Sequence, residues 1–165
     1  MSRGIYVASP NGFTEPGRRY NAEVVAAVRA AGYEVLDPWE VDAEVVEAGL
    51  GALALAPGPE RADAMARLNE RVGRDNEEAI RAATGVLAVL DGTDVDSGTA
   101  SEIGFAFALG LPIVGLRTDL RATGDNEAAI VNLQVEYFIR ASGGTIVTSL
   151  DAAVAALTDV VAVAA

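Results

Sequence analysis

The residues of this chain best placed to do chemistry are acids. The stretch "DGTDVDSGTASEIGFAFALG" (Asp91 to Gly110) puts Asp91, Asp94, Asp96 and Glu102 into twelve positions, directly after the apolar run "GVLAVL". There is no histidine and no cysteine in the chain. Imidazole bases, Ser-His triads and thiolate or imidazole metal sites are therefore excluded, and catalysis falls to carboxylates and hydroxyls. A plain structural role competes with a chemical one. Thr99-Ala100-Ser101-Glu102 fits a capping box at a helix start, and Asp91, Asp94 and Asp96 fit a solvated turn. Gly92, Gly98 and the small Ser97, Thr99 and Ala100 leave open space around these carboxylates. A carboxylate at a helix start is favoured in its ionised form. Ionised, it can attack an electrophilic carbon such as the anomeric carbon of a sugar, while a second acid upstream holds or protonates the leaving group. The residue chemistry points to glycosyl transfer.

Such acids need a scaffold that holds them at one point. "GIYVAS" (Gly4 to Ser9), "YEVLDP", "GVLAVL" (Gly85 to Leu90), "PIVGL" and "TIV" read as five short strands. The run "GVLAVL" is apolar on both faces, as a central parallel strand covered by helices on two sides must be. Val24, Val25, Val28 and Ala31 recur at helical spacing, as do Met65, Leu68, Val72 and Ile80. Further helices are expected from about Thr99 to Leu109, over "EAAIVNLQVEYFIRASG" and over "SLDAAVAALTDVVAVAA". Residues 39–64, with "GLGALALAPGPE" at their centre, are irregular in pattern and read as a loop or broken helix, a candidate mobile flap. Alternating strands and helices predict an α/β three-layer, flavodoxin-like (Rossmann-like) fold with a five-stranded parallel sheet, one domain over residues 1–165. In such sheets ligands sit beyond the carboxyl ends of the strands, near the switch point. The loops after the first strand and after "GVLAVL" should meet there.

Composition narrows the partners. A formal net charge of −12 makes a poor match for nucleic acid or anionic membranes. No stretch approaches the ~20 apolar residues of a spanning helix, and the reading is a cytoplasmic protein. Neither GxGxxG after the first strand nor GxxxxGK[ST] occurs, so a Rossmann oxidoreductase and a P-loop enzyme are not expected. No cofactor and no metal are expected either.

Four segments in order, "GIYVASPNGF", "DNEEAIRAATGVLAVLDG", "DGTDVDSGTASEIGFAFALGLPIVG" and "VNLQVEYFI", resemble the nucleoside 2-deoxyribosyltransferase family over nearly the whole chain. The resemblance implies cleavage of the N-glycosidic bond of a 2'-deoxynucleoside and transfer of the deoxyribosyl group to another free nucleobase, with retention. It implies that Glu102 is the nucleophile, that Asp96 contacts the base and assists its protonation, and that Tyr6 orients the nucleophile. Asn132 matches a family residue that reaches a neighbouring subunit's site and binds the sugar 5'-hydroxyl, which implies a homo-oligomer, a dimer or a hexamer.

The chain departs from the family pattern in two places. On the helix before the central strand, Asn76 stands where an Asp that contacts the base is frequent, with Asp75 beside it. Asn can hydrogen-bond a base but cannot donate a carboxylic proton. The end "VVAVAA" supplies no terminal Tyr. Asn11 and Gly12 line the pocket or make the turn, and Phe13 stacks on a base or packs. Ser97 and Gly98 complete the substrate-binding candidates. Two other readings stand beside transfer: hydrolysis of a deoxynucleoside or its 5'-monophosphate, and a nucleoside-binding module without catalysis.

Overall fold

The computed structural model describes residues 4–164. Five parallel strands form one sheet in the order β2-β1-β3-β4-β5. They are β1 (Gly4–Ala8), β2 (Glu34–Leu36), β3 (Gly85–Val89), β4 (Ile113–Leu116) and β5 (Ile146–Val147). The expected fold class is the observed one. Every residue of β1, β3 and β4 is buried, because helices cover both faces of the sheet.

The helices are α1 (Glu15–Ala30), α2 (Ala43–Ala54), α3 (Pro59–Ala82), α4 (Ser97–Ala108), α5 (Leu133–Ala141) and α6 (Leu150–Ala164). One core layer joins Val24, Val25 and Val28 of α1 and Leu157 and Val161 of α6 to Ile5, Val7 and Leu87 of the sheet. The opposite layer packs Ile80 of α3, Ile103 and Ala106 of α4 and Ile139 of α5 on Tyr6, Val86 and Ala88. The pleat of β1 thus sends Ile5 and Val7 one way and Tyr6 the other.

β1 pairs with β2 on one side, Tyr6 opposite Leu36, and with β3 on the other, Tyr6 opposite Val86. The chain order reverses at β1, so the loops after β1 and β3 diverge and leave a crevice above the carboxyl ends of these strands.

Two expectations need correction, and one open alternative is resolved. Of the two readings of residues 39–64, a loop or a broken helix, the structure has the broken helix. They carry α2 and the first turns of α3, a helical hairpin. Val45 and Ala52 are the only buried residues of α2, which is why no amphipathic stripe was visible in its sequence. Helix α4 begins at Ser97, two residues before Thr99, with Asp96 as its N-cap: the Asp96 Oδ2 accepts from the Thr99 amide at 3.1 Å. Asp in the capping position displaces the Thr-x-x-Glu box. Finally, "EAAIVN" is not helical. Helix α5 starts at Leu133, and its first amides are taken by side chains: Asn132 Oδ1 accepts from Gln134 at 3.0 Å and Asp125 Oδ2 from Leu133 at 2.6 Å. Glu136 reaches back to accept from the Ile130 amide at 2.8 Å and pairs with Arg140. Among the described residues no helix is long and apolar enough to cross a membrane.

Candidate active site

Strand β1 and helix α4 place two functional groups in contact across 96 positions of sequence. The Tyr6 hydroxyl donates to Glu102 Oε1 at 2.7 Å. Tyr6 is fully buried in the sheet, so its hydroxyl is fixed. Glu102 lies in the second turn of α4 rather than at its start, which corrects the expectation of a helix-start carboxylate. Its proton affinity is set by burial, which raises the pKa from 4.5 to about 7. The hydrogen bond from Tyr6 works in the opposite direction, and the Asp96 charge adds to the rise. Tyr6 is pushed well above the usual phenol range by burial first and then by the Glu102 charge, so it stays a donor.

Glu102 opens into a cavity of about 440 Å³ lined by Gly73, Asn76, Glu77, Ile80, Gly98, Ser101 and Phe105. Gly98 matters by its size: a Cβ there would stand 3.0 Å from Asp96 Oδ2. Asn76 of α3 also lines a second cavity of about 320 Å³, walled by Val35, Leu36, Pro38, Val45, Val72 and Ala79 with Asp37, Glu40, Asp42 and Asp75 at its polar edge. Asn76 is the residue common to the two hollows.

Of the residues singled out in the sequence, the structure brings Glu102, Tyr6, Asp96, Asn76 and Gly98 together at the head of β1 and α4. Asp75 lies on the second cavity, exposed and paired with Arg71 at 3.6 Å. Ser97 is exposed, and its carbonyl accepts from the Ser101 hydroxyl at 2.8 Å. Asn132 is exposed at the start of α5, where its side chain caps the helix. Asp91 is structural: it accepts from the Thr118 amide and hydroxyl and from the Asp119 amide, tying β3 to the loop after β4. Asp94 caps its own neighbour, Val95.

Asn11, Gly12 and Phe13 form a single 3-10 turn after β1. The turn leans on Trp39, whose indole N–H donates to the Ser9 carbonyl at 2.8 Å. A Cβ on Gly12 would fall 1.9 Å from the Trp39 ring, so no other residue fits there. Phe13 is 72 % exposed and meets Trp39 edge-on, with centroids 4.7 Å apart; it is not a core residue. The Asn11 Nδ2 is buried without a partner.

Two residues escaped the sequence reading. Arg117 follows β4 directly and is 2 % exposed. Its guanidinium donates to the carbonyls of Leu90, Gly92 and Arg121, the last at 2.7 Å, and to the Thr123 hydroxyl at 3.3 Å. It braces the loop that leads from β3 into α4, where Gly92 takes a φ of +128°. Asp37 follows β2, and its carboxylate is held by the Trp39 amide at 3.0 Å and the Asn21 amide group at 2.7 Å. An isolated Arg or Asp just past an apolar strand was the available signal in each case.

The profile of the nucleoside 2-deoxyribosyltransferases matches residues 5–137. A search of curated protein sequences finds no match. Among solved structures, a 2-deoxyribosyltransferase from Leishmania mexicana is 24 % identical with a TM-score of 0.63, covering 93 % of this chain and 95 % of its own. A 2-deoxyribosyltransferase from Bacillus psychrosaccharolyticus is 20 % identical with a TM-score of 0.62, covering 90 % and 88 %. A CMP N-glycosidase from Clostridium botulinum is 16 % identical with a TM-score of 0.55, covering 94 % and 98 %. At these identities the structures establish a shared fold. The profile spans most of the chain, and the signature helix α4 with its buried Glu102 falls inside the match: the chain belongs to the nucleoside 2-deoxyribosyltransferase family.

Proposed function

We propose that this protein transfers the 2-deoxyribosyl group of a 2'-deoxynucleoside from one purine or pyrimidine base to another. The observation that carries the reading is the Tyr6–Glu102 hydrogen bond at the wall of an open cavity. A buried carboxylate with one fixed donor is positioned, desolvated and still free on its second oxygen. In the first step a Glu102 oxygen attacks C1' as the bond to the base nitrogen breaks. The base leaves with its electron pair and takes up a proton, with Asp96 and Asn76 beside it. In the second step the incoming base loses a proton, its nitrogen attacks C1', and Glu102 departs as carboxylate. Two inversions give retention. Asn132, exposed in the single chain, serves the 5'-hydroxyl of a neighbouring subunit's substrate in this reading, and the working enzyme is an oligomer.

Hydrolysis shares the first half, with water as the acceptor, and the N-glycosidase among the structural neighbours is named for that outcome. Incubation with thymidine and excess adenine, followed by chromatography, separates the possibilities. Deoxyadenosine is the expected product. Free thymine without deoxyadenosine would make the protein a hydrolase. If neither forms, from deoxynucleosides or their monophosphates, the catalytic reading fails.

The reaction also has an expected pH signature. Attack needs ionised Glu102, so kcat/KM should rise with pH through a midpoint near 7, well above the ordinary carboxylate range. Tyr6→Phe removes the bond that holds the Glu102 pKa down, so its midpoint should move to higher pH. A midpoint near 4.5, or one unmoved in the Tyr6 variant, would contradict this assignment.

A further inference from the structure

The cavity beyond Asn76 is bordered by four carboxylates, and three of them are ion-paired, two sharing one arginine. Glu40 pairs with Arg29 at 2.7 Å. Asp42 caps α2 by accepting from the Val45 amide at 2.8 Å and pairs with Arg71 at 3.1 Å. Asp75 pairs with the same Arg71 at 3.6 Å. Asp37 is different. Its hydrogen-bond donors are neutral, the Trp39 amide on one oxygen and the Asn21 side chain on the other. Among the described residues it makes no ion pair. Burial pushes its pKa up, against the opposing pull of its two hydrogen bonds and of the Arg29 charge that is paired with Glu40.

Its place in the fold is fixed. Asp37 follows Leu36, the β2 residue paired with Tyr6, and it precedes Pro38, which holds its backbone extended. Its charge acts on the Tyr6 phenol, so it lies within electrostatic reach of the nucleophile's own partner. Each of its oxygens accepts one N–H and keeps a lone pair in reserve. Asn76 and the apolar Val35, Leu36, Val45 and Val72 line the same hollow. A hollow of about 320 Å³ with apolar walls and a carboxylate-rich edge suits a small heterocycle that presents an N–H donor.

We propose that Asp37 is a specificity-determining residue of this enzyme: its carboxylate accepts a hydrogen bond from the exocyclic amino group of the nucleobase, so that cytosine and adenine are selected over uracil and hypoxanthine. The proposal rests on the reading of the site as one that binds nucleobases. Within each pair the amino group of the favoured base is a donor, whereas its oxo counterpart turns a carbonyl lone pair toward a carboxylate. A donor met by a half-buried charge against an acceptor left facing one is a difference of about ten- to a hundredfold in affinity.

The test is equilibrium binding of the free bases to the purified full-length protein, which needs no turnover. Equilibrium dialysis of each base against the protein gives the affinity directly, and competition between the two members of a pair gives the ratio. Wild-type protein is expected to bind cytosine over uracil, and adenine over hypoxanthine, by at least about tenfold. Asp37→Asn, whose side chain can donate to an oxo group, should bring both ratios to one or reverse them while the thermal melt stays cooperative. Equal affinities within both pairs in wild type, or no binding of any base, would overturn the proposal without reference to the variant. Unchanged ratios in a folded Asp37→Asn protein would overturn it as well. Selective binding together with no product in the thymidine–adenine incubation would instead sink the transferase reading and leave the role of Asp37 intact.

Discussion

Glu102→Gln is expected to lower the rate of base exchange by at least about a thousandfold, because an amide oxygen cannot form and release a glycosyl ester as a carboxylate does. The substitution is nearly isosteric, and the Tyr6 hydroxyl can still donate to the amide oxygen, so the loss would come from chemistry and not from collapse of the site. The same variant should be more stable than wild type at high pH. Folding raises the Glu102 pKa from 4.5 to about 7. Between those values the folded state holds a proton that the unfolded state has released, so wild-type stability falls as pH rises through this window. Above pH 7 the ionised, buried carboxylate costs up to about 3 kcal/mol, and Gln carries no such cost. Below pH 4.5 both states of the wild type are protonated and this difference disappears. Chemical denaturation of the two proteins at pH 5 and pH 8.5 checks the second half. A variant that retains activity, or one whose stability follows wild type at both pH values, would return Glu102 to the status of an ordinary helix residue.

Arg117→Met should produce the largest loss of stability of any substitution considered for this protein, on the order of 3 kcal/mol or more. Met fills much of the same volume but supplies no donor. The carbonyls of Leu90, Gly92 and Arg121 would then lose the cation that now satisfies them. A buried carbonyl without a partner, here that of Leu90, is costly, and the loop after β3 would lose its tie to the loop after β4. Activity should fall with stability, since the Gly92 loop sets where Asp96 begins the helix and hence where Glu102 points. A urea midpoint within about 1 kcal/mol of wild type in derived stability would show that water replaces the guanidinium and that the brace is dispensable.

The layered architecture was readable because burial left a strong trace in the sequence. "GVLAVL" has no polar face to offer water, and Val24, Val25 and Val28 repeat at helical spacing. The hairpin of α2 and α3 was harder. Helix α2 buries only two residues, packs on α3 and carries Gly49 and Gly51, so its composition and periodicity left a loop and a broken helix equally open. The site was partly legible. Glu102, Asp96 and Tyr6 could be named, yet the electrostatic reason given for Glu102 was wrong: a capping pattern that fits Thr99 fits Asp96 better, and the shift of three residues in the cap moves Glu102 from the first turn into a half-buried second one. Arg117 and Asp37 were invisible for a different reason. The carbonyls of Leu90 and Gly92 reach Arg117 from 27 and 25 positions away and the Asn21 amide reaches Asp37 from 16, and no local pattern encodes those contacts.

The shift of the helix start has a consequence for substrate range. Asp96 and Glu102 belong to one continuous helix, the first as its cap and the second six residues on, a separation of about 9 Å along the axis. Helix α4 therefore works as a rigid gauge with a carboxylate at each mark. In the proposed transfer it cannot lengthen for a purine or shorten for a pyrimidine. Accommodation then comes from the opposite jaw, built from the end of β2 and the α2–α3 hairpin, where Val45 and Val72 face the hollow and α2 packs on α3. Efforts to widen the range of accepted bases belong on that jaw, with the gauge left untouched.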